Sequence, residues 1–178
     1  MSTMSSKADA RPWWKLNRRE QSIALICLSA VLIGAWLPGR IVVSTSPSLT
    51  HRIFFKVGFT PDRIQDGDYL AFKIDEKEVQ HIRKGKNEKN DIALKRVGCI
   101  PGQQLISDTQ GLFVCDGQML GFALDKDSKG EKLPTFRYSG PVPADSYFMV
   151  GTNPHSFDSR YIGFLHGKDF LFKALPLW

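Results

Sequence analysis

The sequence lacks the residue groupings that mark several large classes of enzyme. Its four histidines stand apart from one another and from the three cysteines, so a zinc site has little support. It has no glycine-rich phosphate loop, and no Gly-x-Ser-x-Gly turn of the kind that presents a serine nucleophile in one class of hydrolases. Sustained helical periodicity is missing outside one apolar run near the N-terminus. We therefore expect no metal and no other cofactor.

The positive charge of the chain is not concentrated in a binding motif. The net charge is +6, from 24 lysines and arginines against 18 acidic residues. These charges are spread along the sequence, and no DNA-binding motif holds them. We therefore expect no nucleic-acid partner.

One stretch contains no charge at all, SIALICLSAVLIGAWL at 22–37. As a helix it spans about 24 Å, and flanking residues would extend it toward the ~30 Å hydrocarbon core of a membrane. It has no polar face, which argues against a buried helix of a soluble protein. A cleaved signal peptide is the other alternative, but the Ser44–Ser46 spacing is followed by Pro47, a poor residue after a cleavage site. We predict a retained transmembrane anchor over 21–38.

The charge flanking this run predicts the orientation of the anchor. Five basic residues precede it, and the positive-inside rule places that end in the cytoplasm. They are Lys7, Arg11, Lys15, Arg18 and Arg19. We predict a cytoplasmic tail over 1–20, a bacterial inner-membrane anchor and a domain over 39–178 in the periplasm.

The remaining sequence favours a mainly β fold, a barrel or sandwich of short strands. Two polar stretches, 75–91 and 125–141, are interpreted as loops. The predicted strands are 52–59, 67–74, 92–100, a hairpin over 111–120 that turns at Asp116-Gly117, 145–153 and 169–175.

The cysteines leave one question open. Cys27 lies in the predicted anchor, whereas Cys99 and Cys115 lie in the predicted periplasmic domain, sixteen residues apart. An oxidising compartment permits a disulfide between them. Two buried thiols are the alternative, because both cysteines stand in apolar, strand-like surroundings.

A serine activated by a lysine is the catalytic arrangement that the sequence favours. A hydroxyl nucleophile needs a base, and a lysine can serve only if burial keeps it neutral. Lys95 stands in the apolar stretch DIALKRVGCIPG (91–102), whereas most other lysines lie in charged loops. The alternative is that Lys95 is an ordinary surface lysine. A triad of Ser48, His155 and Asp158 is conceivable, but such trios arise easily by chance.

Four stretches, in order along the chain, resemble the type I signal peptidase superfamily. SPSL (46–49) is similar to its Ser-x-Ser-Met/Leu nucleophile box, and DGDYLAF (66–72) to its Gly-Asp-x-Val-x-Phe strand. LKRVGCIPG (94–102) resembles its Lys-Arg-Val-x-x-x-Pro-Gly-Asp box. GTNPHSFDSRYIG (151–163) resembles its Gly-x-Asn-x-x-Ser-x-Asp-Ser-Arg-x-x-Gly box. The resemblance implies a signal-peptidase-like β domain that follows one membrane anchor.

The branch most similar to this chain is that of the conjugal-transfer, TraF-type peptidases. Its nucleophile box has the pattern Asn-x-Thr-x-Ser-Leu/Met-Pro-x-Gly-Leu-Tyr. The stretch PHSFDSRY (154–161) and the short length of the chain also fit this branch. Three positions depart from the pattern. Thr50 stands where proline is usual, Arg52 where glycine is usual, and Gln103 where the lysine box normally ends in aspartate.

The resemblance also implies roles for individual residues. Ser48 would be the nucleophile, and Lys95 the base that later protonates the leaving amine. The N–H of Ser48 and the hydroxyl of Ser46 would form the oxyanion hole. Ser156 would orient the lysine by a hydrogen bond, although a turn-capping hydroxyl is the alternative. Supporting roles fall to Asp158 and Arg160, which would form an ion pair beside the site.

The implied function is processing of a propilin-type membrane protein, with cyclisation of the product as an outcome that the sequence does not decide. Inner-membrane lipid and other conjugative transfer proteins are the further partners. Two alternatives stay open: a general signal peptidase for exported proteins, and an inactive scaffold that retains the fold.

Overall fold

The computed structural model describes residues 17–45, 47–74, 92–127 and 130–178. The chain divides into two compact units, one ending at Arg40 and the other beginning at Ile41. The predicted loop over 75–91 and the oxyanion candidate Ser46 lie outside the described residues.

The first unit contains one long helix, α1, over Arg18–Trp36, followed by a 3₁₀ turn over Pro38–Arg40. Asn17 begins the helix with a capping box. Its side chain accepts from the N–H of Arg19 at 2.9 Å, and its own N–H donates to the Glu20 carboxylate at 2.9 Å. These bonds satisfy amides that a helix N-terminus leaves without partners, so α1 begins at a defined residue.

Beyond its charged first turn, α1 has no polar face. No residue of the helix is buried within the unit. The segment Arg18–Arg40 has a mean hydropathy of 2.0 and is long enough to cross a membrane. A helix without a polar face has no place on the surface of a water-soluble domain. This helix has the length and composition of a membrane span or of a signal sequence.

The second unit is built from short strands, numbered in chain order. They are β1 (Ile41–Val43), β2 (Ile53–Val57), β3 (Tyr69–Lys73), β4 (Ile92–Cys99), β5 (Gln104–Ser107), β6 (Leu112–Cys115), β7 (Gln118–Phe122), β8 (Ser139–Pro141), β9 (Ser146–Val150), β10 (Leu165–His166) and β11 (Phe170–Pro176). One helical turn, α2 (Ser159–Ile162), lies between β9 and β10.

The strands form two antiparallel sheets. The larger sheet has seven strands in the order β1-β2-β11-β3-β4-β9-β10, and the smaller has four in the order β7-β6-β5-β8. β4 and β9 are neighbours in the larger sheet, and the whole smaller sheet lies between them in sequence. The prediction of a mainly β fold is confirmed, in the form of two sheets.

The interpretation of 125–141 as a loop is wrong in part. Its last residues form β8, which pairs with β5, and Lys126 and Lys132 form an isolated bridge. Ser-Gly-Pro has low strand propensity, so the sequence gives no signal there. Pairing with β5 imposes the extended form, and the proline is accommodated because β8 is an edge strand.

The core contains three groups of buried side chains. One joins the two sheets through Phe113 and Phe148, whose rings stack 5.2 Å apart. Cys99, at the end of β4, and Cys115, at the end of β6, form a disulfide within this group, with their Cα atoms 5.8 Å apart. Cys27 in α1 is a free thiol. Of the two alternatives that the sequence left open, the structure contains the disulfide.

Candidate active site

Ser48 lies in the loop that joins β1 to β2. The Ser44 N–H donates to the Arg52 carbonyl at 2.8 Å and closes the base of this loop. Leu49 is buried in the group of core side chains that includes Phe54, so the loop is anchored beside its serine. Burying one leucine stabilises such a loop by about 2 kcal/mol. The position of Ser48 is therefore set by the hairpin and by the core beneath it.

Lys95 lies in the middle of β4 and is only 5% exposed. The buried positions alternate along this strand: Ala93, Lys95 and Val97 are buried, whereas Leu94 and Arg96 are half-buried. This is the pattern of a strand whose two faces differ. The apolar residues around Lys95 hold its amine out of water, and Arg96 on the other face keeps partial contact with solvent.

Burial lowers the pKa of the Lys95 ammonium from 10.5 to about 8. Loss of hydration is the largest cause; the charge of Asp158 raises the pKa and that of Arg160 lowers it. At a pKa of 8, about one lysine in ten is neutral at pH 7, compared with about one in 3,000 at 10.5. The site thus supplies a usable amine base near neutral pH.

Ser156 holds the amine of Lys95. Lys95 Nζ donates to Ser156 Oγ at 2.8 Å, and both side chains are buried. The N–H of Ser156 donates to the Asn153 carbonyl at 3.0 Å, which fixes the turn carrying the serine. A flexible lysine chain thereby gains a defined direction.

Asp158 and Arg160 form a buried, two-pronged ion pair. Arg160 Nε and Nη2 donate to the two Asp158 carboxylate oxygens at 2.8 and 2.7 Å. Asp158 Oδ2 also accepts from the Gly151 N–H at 2.8 Å. Burial alone would lower the pKa of Arg160, but its hydrogen bond to Asp158 and the charge of Asp158 raise it. Two parallel hydrogen bonds to one carboxylate fix the orientation of the guanidinium as well as its distance.

The remaining donors of Arg160 reach three backbone carbonyls, in two segments of the chain. Nη1 donates to Phe122 at 2.7 Å, and Nη2 lies 3.2 Å from the carbonyl of Ser156 and 3.3 Å from that of Asn153. One guanidinium therefore ties β7 of the smaller sheet to the turn that orients Lys95. Only arginine has the planar, five-donor geometry for this.

Gly151 is a position that sequence reasoning missed. A Cβ atom there would lie 2.5 Å from Ser156 Cβ and 2.8 Å from the Ser48 carbonyl oxygen. Real Cβ contacts essentially never approach so closely. Only glycine therefore fits at this position, where the backbone passes between Ser48 and Ser156. The glycine of the last box was visible in the sequence, but the close approach depends on Ser48, which is distant along the chain.

Ser48 and Lys95 line the same cleft, of about 550 Å³. Its walls are mostly apolar, with Ala71, Leu94 and Phe172 among them, and its polar groups are few. An apolar cleft with a small number of convergent polar groups is the usual form of a binding site. The geometry places a hydroxyl and a buried amine where one extended peptide could meet both.

The structure does not assemble the triad alternative. Both carboxylate oxygens of Asp158 are engaged by Arg160, with Gly151 as a further donor. The His155 side chain is exposed, and the hydrogen bond of this residue to Asn153 Oδ1, 2.8 Å long, comes from its backbone N–H. Asp158 therefore orients a guanidinium and the backbone. Among the residues that the structure describes, no group of His, Cys, Asp or Glu could hold a metal ion.

A mainly β fold with a cleft that contains a serine and a buried lysine is compatible with a serine-type peptidase. The family model "Signal peptidase, peptidase S26" matches residues 17–178, and the chain belongs to that family. Among solved structures, it is similar to a signal peptidase I from Enterococcus faecalis V583, with 22% sequence identity and a TM-score of 0.37 over 62% of this chain and 95% of that one. No curated protein matches the chain.

Proposed function

We propose that the chain is a membrane-anchored serine endopeptidase in which Ser48 is the nucleophile and Lys95 the general base. The observation that carries this proposal is the buried amine of Lys95, held by Ser156, in the cleft that Ser48 also lines. A lysine is an unusual residue to bury, because its charged form loses its hydration. A catalytic need for a neutral amine explains why the chain retains it there.

The reaction follows from these positions. Ser48 Oγ attacks the scissile carbonyl while its proton passes to neutral Lys95, giving a tetrahedral oxyanion. The N–H of Ser48 and the hydroxyl of Ser46 are the proposed donors to that oxyanion. Collapse breaks the C–N bond, and the Lys95 ammonium protonates the departing amine. The neutral lysine then activates the second nucleophile, water or an amine, which attacks the acyl group and releases it from Ser48.

The proposed location is the bacterial inner membrane, crossed once. The apolar helix supports an anchor, and the basic residues before it support a cytoplasmic N-terminus, with the catalytic unit in the periplasm. In that setting the active serine lies close in sequence to the membrane, where a membrane-bound substrate would present its cleavage site.

The proposed substrate is the precursor of a conjugative pilin, in a plasmid transfer system that supplies the other partner proteins. The residues of the nucleophile box (46–49) and of the last box (151–163) resemble those of the TraF-type branch, and this resemblance supports the narrower role. General removal of signal peptides from exported proteins is the alternative. The short segment between the lysine box and the last box, 103–150, favours the specialised role.

The acyl-enzyme can be released in two ways, and a mass measurement separates them. Water gives a linear cleaved pilin. Attack by the amine of the pilin's own N-terminus gives a cyclic product that is lighter by one water. We propose cyclisation as the further activity; a linear mass for the matured pilin rejects it and leaves the peptidase intact.

The decisive experiment is co-expression of the full chain with a candidate propilin, with the products identified by mass spectrometry. Ser48→Ala and Lys95→Ala are each expected to abolish processing. Ser139→Ala and Lys126→Ala change the same residue types at exposed positions and should leave it unchanged. Normal processing in cells that carry either active-site variant would end the dyad hypothesis, and equal processing without the chain would favour the inactive scaffold. A reporter preprotein in parallel tests the general alternative.

A further inference from the structure

The segment that carries Ser48 is attached to the turn that orients Lys95. The Ser48 carbonyl accepts from the N–H groups of Thr152 and Asn153, at 2.9 and 3.3 Å. The Thr152 hydroxyl is also 3.4 Å from this carbonyl. The serine is carried by the loop between β1 and β2 and the lysine by β4, so these bonds connect the serine loop to the turn that holds Lys95.

Asn153 contacts both halves at once. Its Nδ2 donates to the Pro47 carbonyl at 3.1 Å, immediately before the serine. Its Oδ1 accepts the His155 N–H at 2.8 Å, and its carbonyl accepts the Ser156 N–H at 3.0 Å. One side of the residue thus reaches the Ser48 loop, and the other side shapes the turn that holds Lys95.

A pair of threonines makes a second connection. Thr50 Oγ1 donates to Thr152 Oγ1 at 3.2 Å, across more than a hundred residues of sequence. Thr50 is one of the departures noted above, at a position where the resembling branch usually has proline. A proline would stiffen the chain after the serine by itself. Here the hydroxyl pair ties the same point to the opposite loop.

We infer that Asn153 is a positioning residue of the active site, and that the Thr50–Thr152 pair assists it, by clamping the Ser48 loop to the turn that orients Lys95. The inference rests on the proposed serine–lysine mechanism. A displacement of about 1 Å between reacting groups costs on the order of a hundredfold in rate. A hydrogen bond that limits such displacement acts on the turnover rate and does not itself touch the substrate.

Two substitutions at Asn153 separate the clamp from a role in folding the turn. Asn153→Asp keeps an acceptor for the His155 N–H but loses the donor to Pro47, whereas Asn153→Ala loses both. The full chain, reconstituted in phospholipid vesicles, is assayed on a reporter substrate for kcat, KM, thermal midpoint and pH profile. We expect both variants to lose about 10- to 100-fold in kcat, with KM and the position of the acid limb unchanged.

The results that overturn the inference are specific. Wild-type kcat for Asn153→Asp, with a loss only for Asn153→Ala, would mean that the turn matters and the Pro47 bond does not. A shift of the acid limb to higher pH in Asn153→Asp would mean that the new carboxylate acts on Lys95 by its charge. Either result removes the positioning role.

The threonine pair gives an independent measurement if the asparagine variants do not fold. Thr50→Val and Thr152→Val are each expected to lower kcat about 3- to 10-fold. The kcat of the double variant should be no lower than that of the more impaired single variant. Thr109→Val, at an exposed position in the turn between β5 and β6, is the matched control. Additive losses, or none, contradict the clamp. Ser48→Ala is tested beside them, because its retained activity would instead reject the mechanism on which the inference rests.

Discussion

Replacing Gly151 by alanine tests whether the site is as closely packed as the structure indicates. The added Cβ would lie 2.5 Å from Ser156 Cβ and 2.8 Å from the Ser48 carbonyl oxygen, with the Ser156 hydroxyl as its nearest neighbour. Ordinary carbon contacts are about 3.5–4.0 Å, so one or both serines must move by about 1 Å. The Lys95–Ser156 hydrogen bond, 2.8 Å long, does not survive such a movement.

The expected result is a loss of activity in the folded variant, separate from its loss of stability. We expect kcat on a reporter substrate to fall about 100-fold, and the free energy of unfolding by about 1–3 kcal/mol. Activity is measured under conditions where the thermal midpoint shows the variant to be fully folded. The same assay gives KM, which should change little because the apolar side chains that line the cleft do not contact the added methyl group.

Two other glycines of the same unit serve as controls. Gly58 has open space around its Cβ position, so Gly58→Ala should leave activity and stability unchanged. Gly98→Ala would press on the ends of Val150 and Leu120, and should cost stability with little effect on kcat. Wild-type turnover by Gly151→Ala would refute the close packing of the two serines and the argument built on it.

Three further predictions concern pH, charge and the disulfide. Because only neutral Lys95 is a base and its pKa is about 8, kcat/KM should fall tenfold per pH unit below that value. Because folding lowers this pKa, the free energy of unfolding should also rise between about pH 8 and 10.5. Lys95→Met should remove this rise in stability, and its persistence in the variant would contradict the assignment. Arg160→Lys keeps the charge but loses the paired hydrogen bonds to a buried carboxylate, so denaturant titration should show a loss of about 1.5–3 kcal/mol, and a loss below about 0.5 kcal/mol would contradict the ion pair's structural role. Replacing Cys99 and Cys115 together by alanine should cost about 3 kcal/mol, from the loop that the bond closes; an unchanged unfolding midpoint would show that the bond adds nothing.

The sequence predicted those features of the site that depend on local pattern. An apolar strand with a single lysine at an inward position is enough to predict that Lys95 is buried, and burial alone accounts for the direction of its pKa shift. The five longer strands of the larger sheet were likewise foreseeable, because they are apolar and bounded by turn residues, whereas β1 and β10, of three and two residues, were not predicted.

Features that depend on distant residues were not predictable in this way. Gly151 is required by Ser48 and Ser156 together, and the contacts of Asn153 exist only once two loops meet. β8 is short and contains no apolar side chain except its proline, and it is a strand because it pairs with β5. Such positions carry no signal in their own neighbourhood, since the partner that defines them is elsewhere in the chain.

The place where the smaller sheet joins the chain has a consequence for how this architecture can vary. The residues after β4 leave the larger sheet, build four strands and return as β9, directly beside the strand from which they left. A segment that starts and ends at adjacent strands can become longer or shorter without changing the pairing of β4 with β9. Lys95 then keeps its position relative to the 151–160 turn. Divergence in this part of the chain could therefore alter what the protein docks against while leaving its chemistry unchanged.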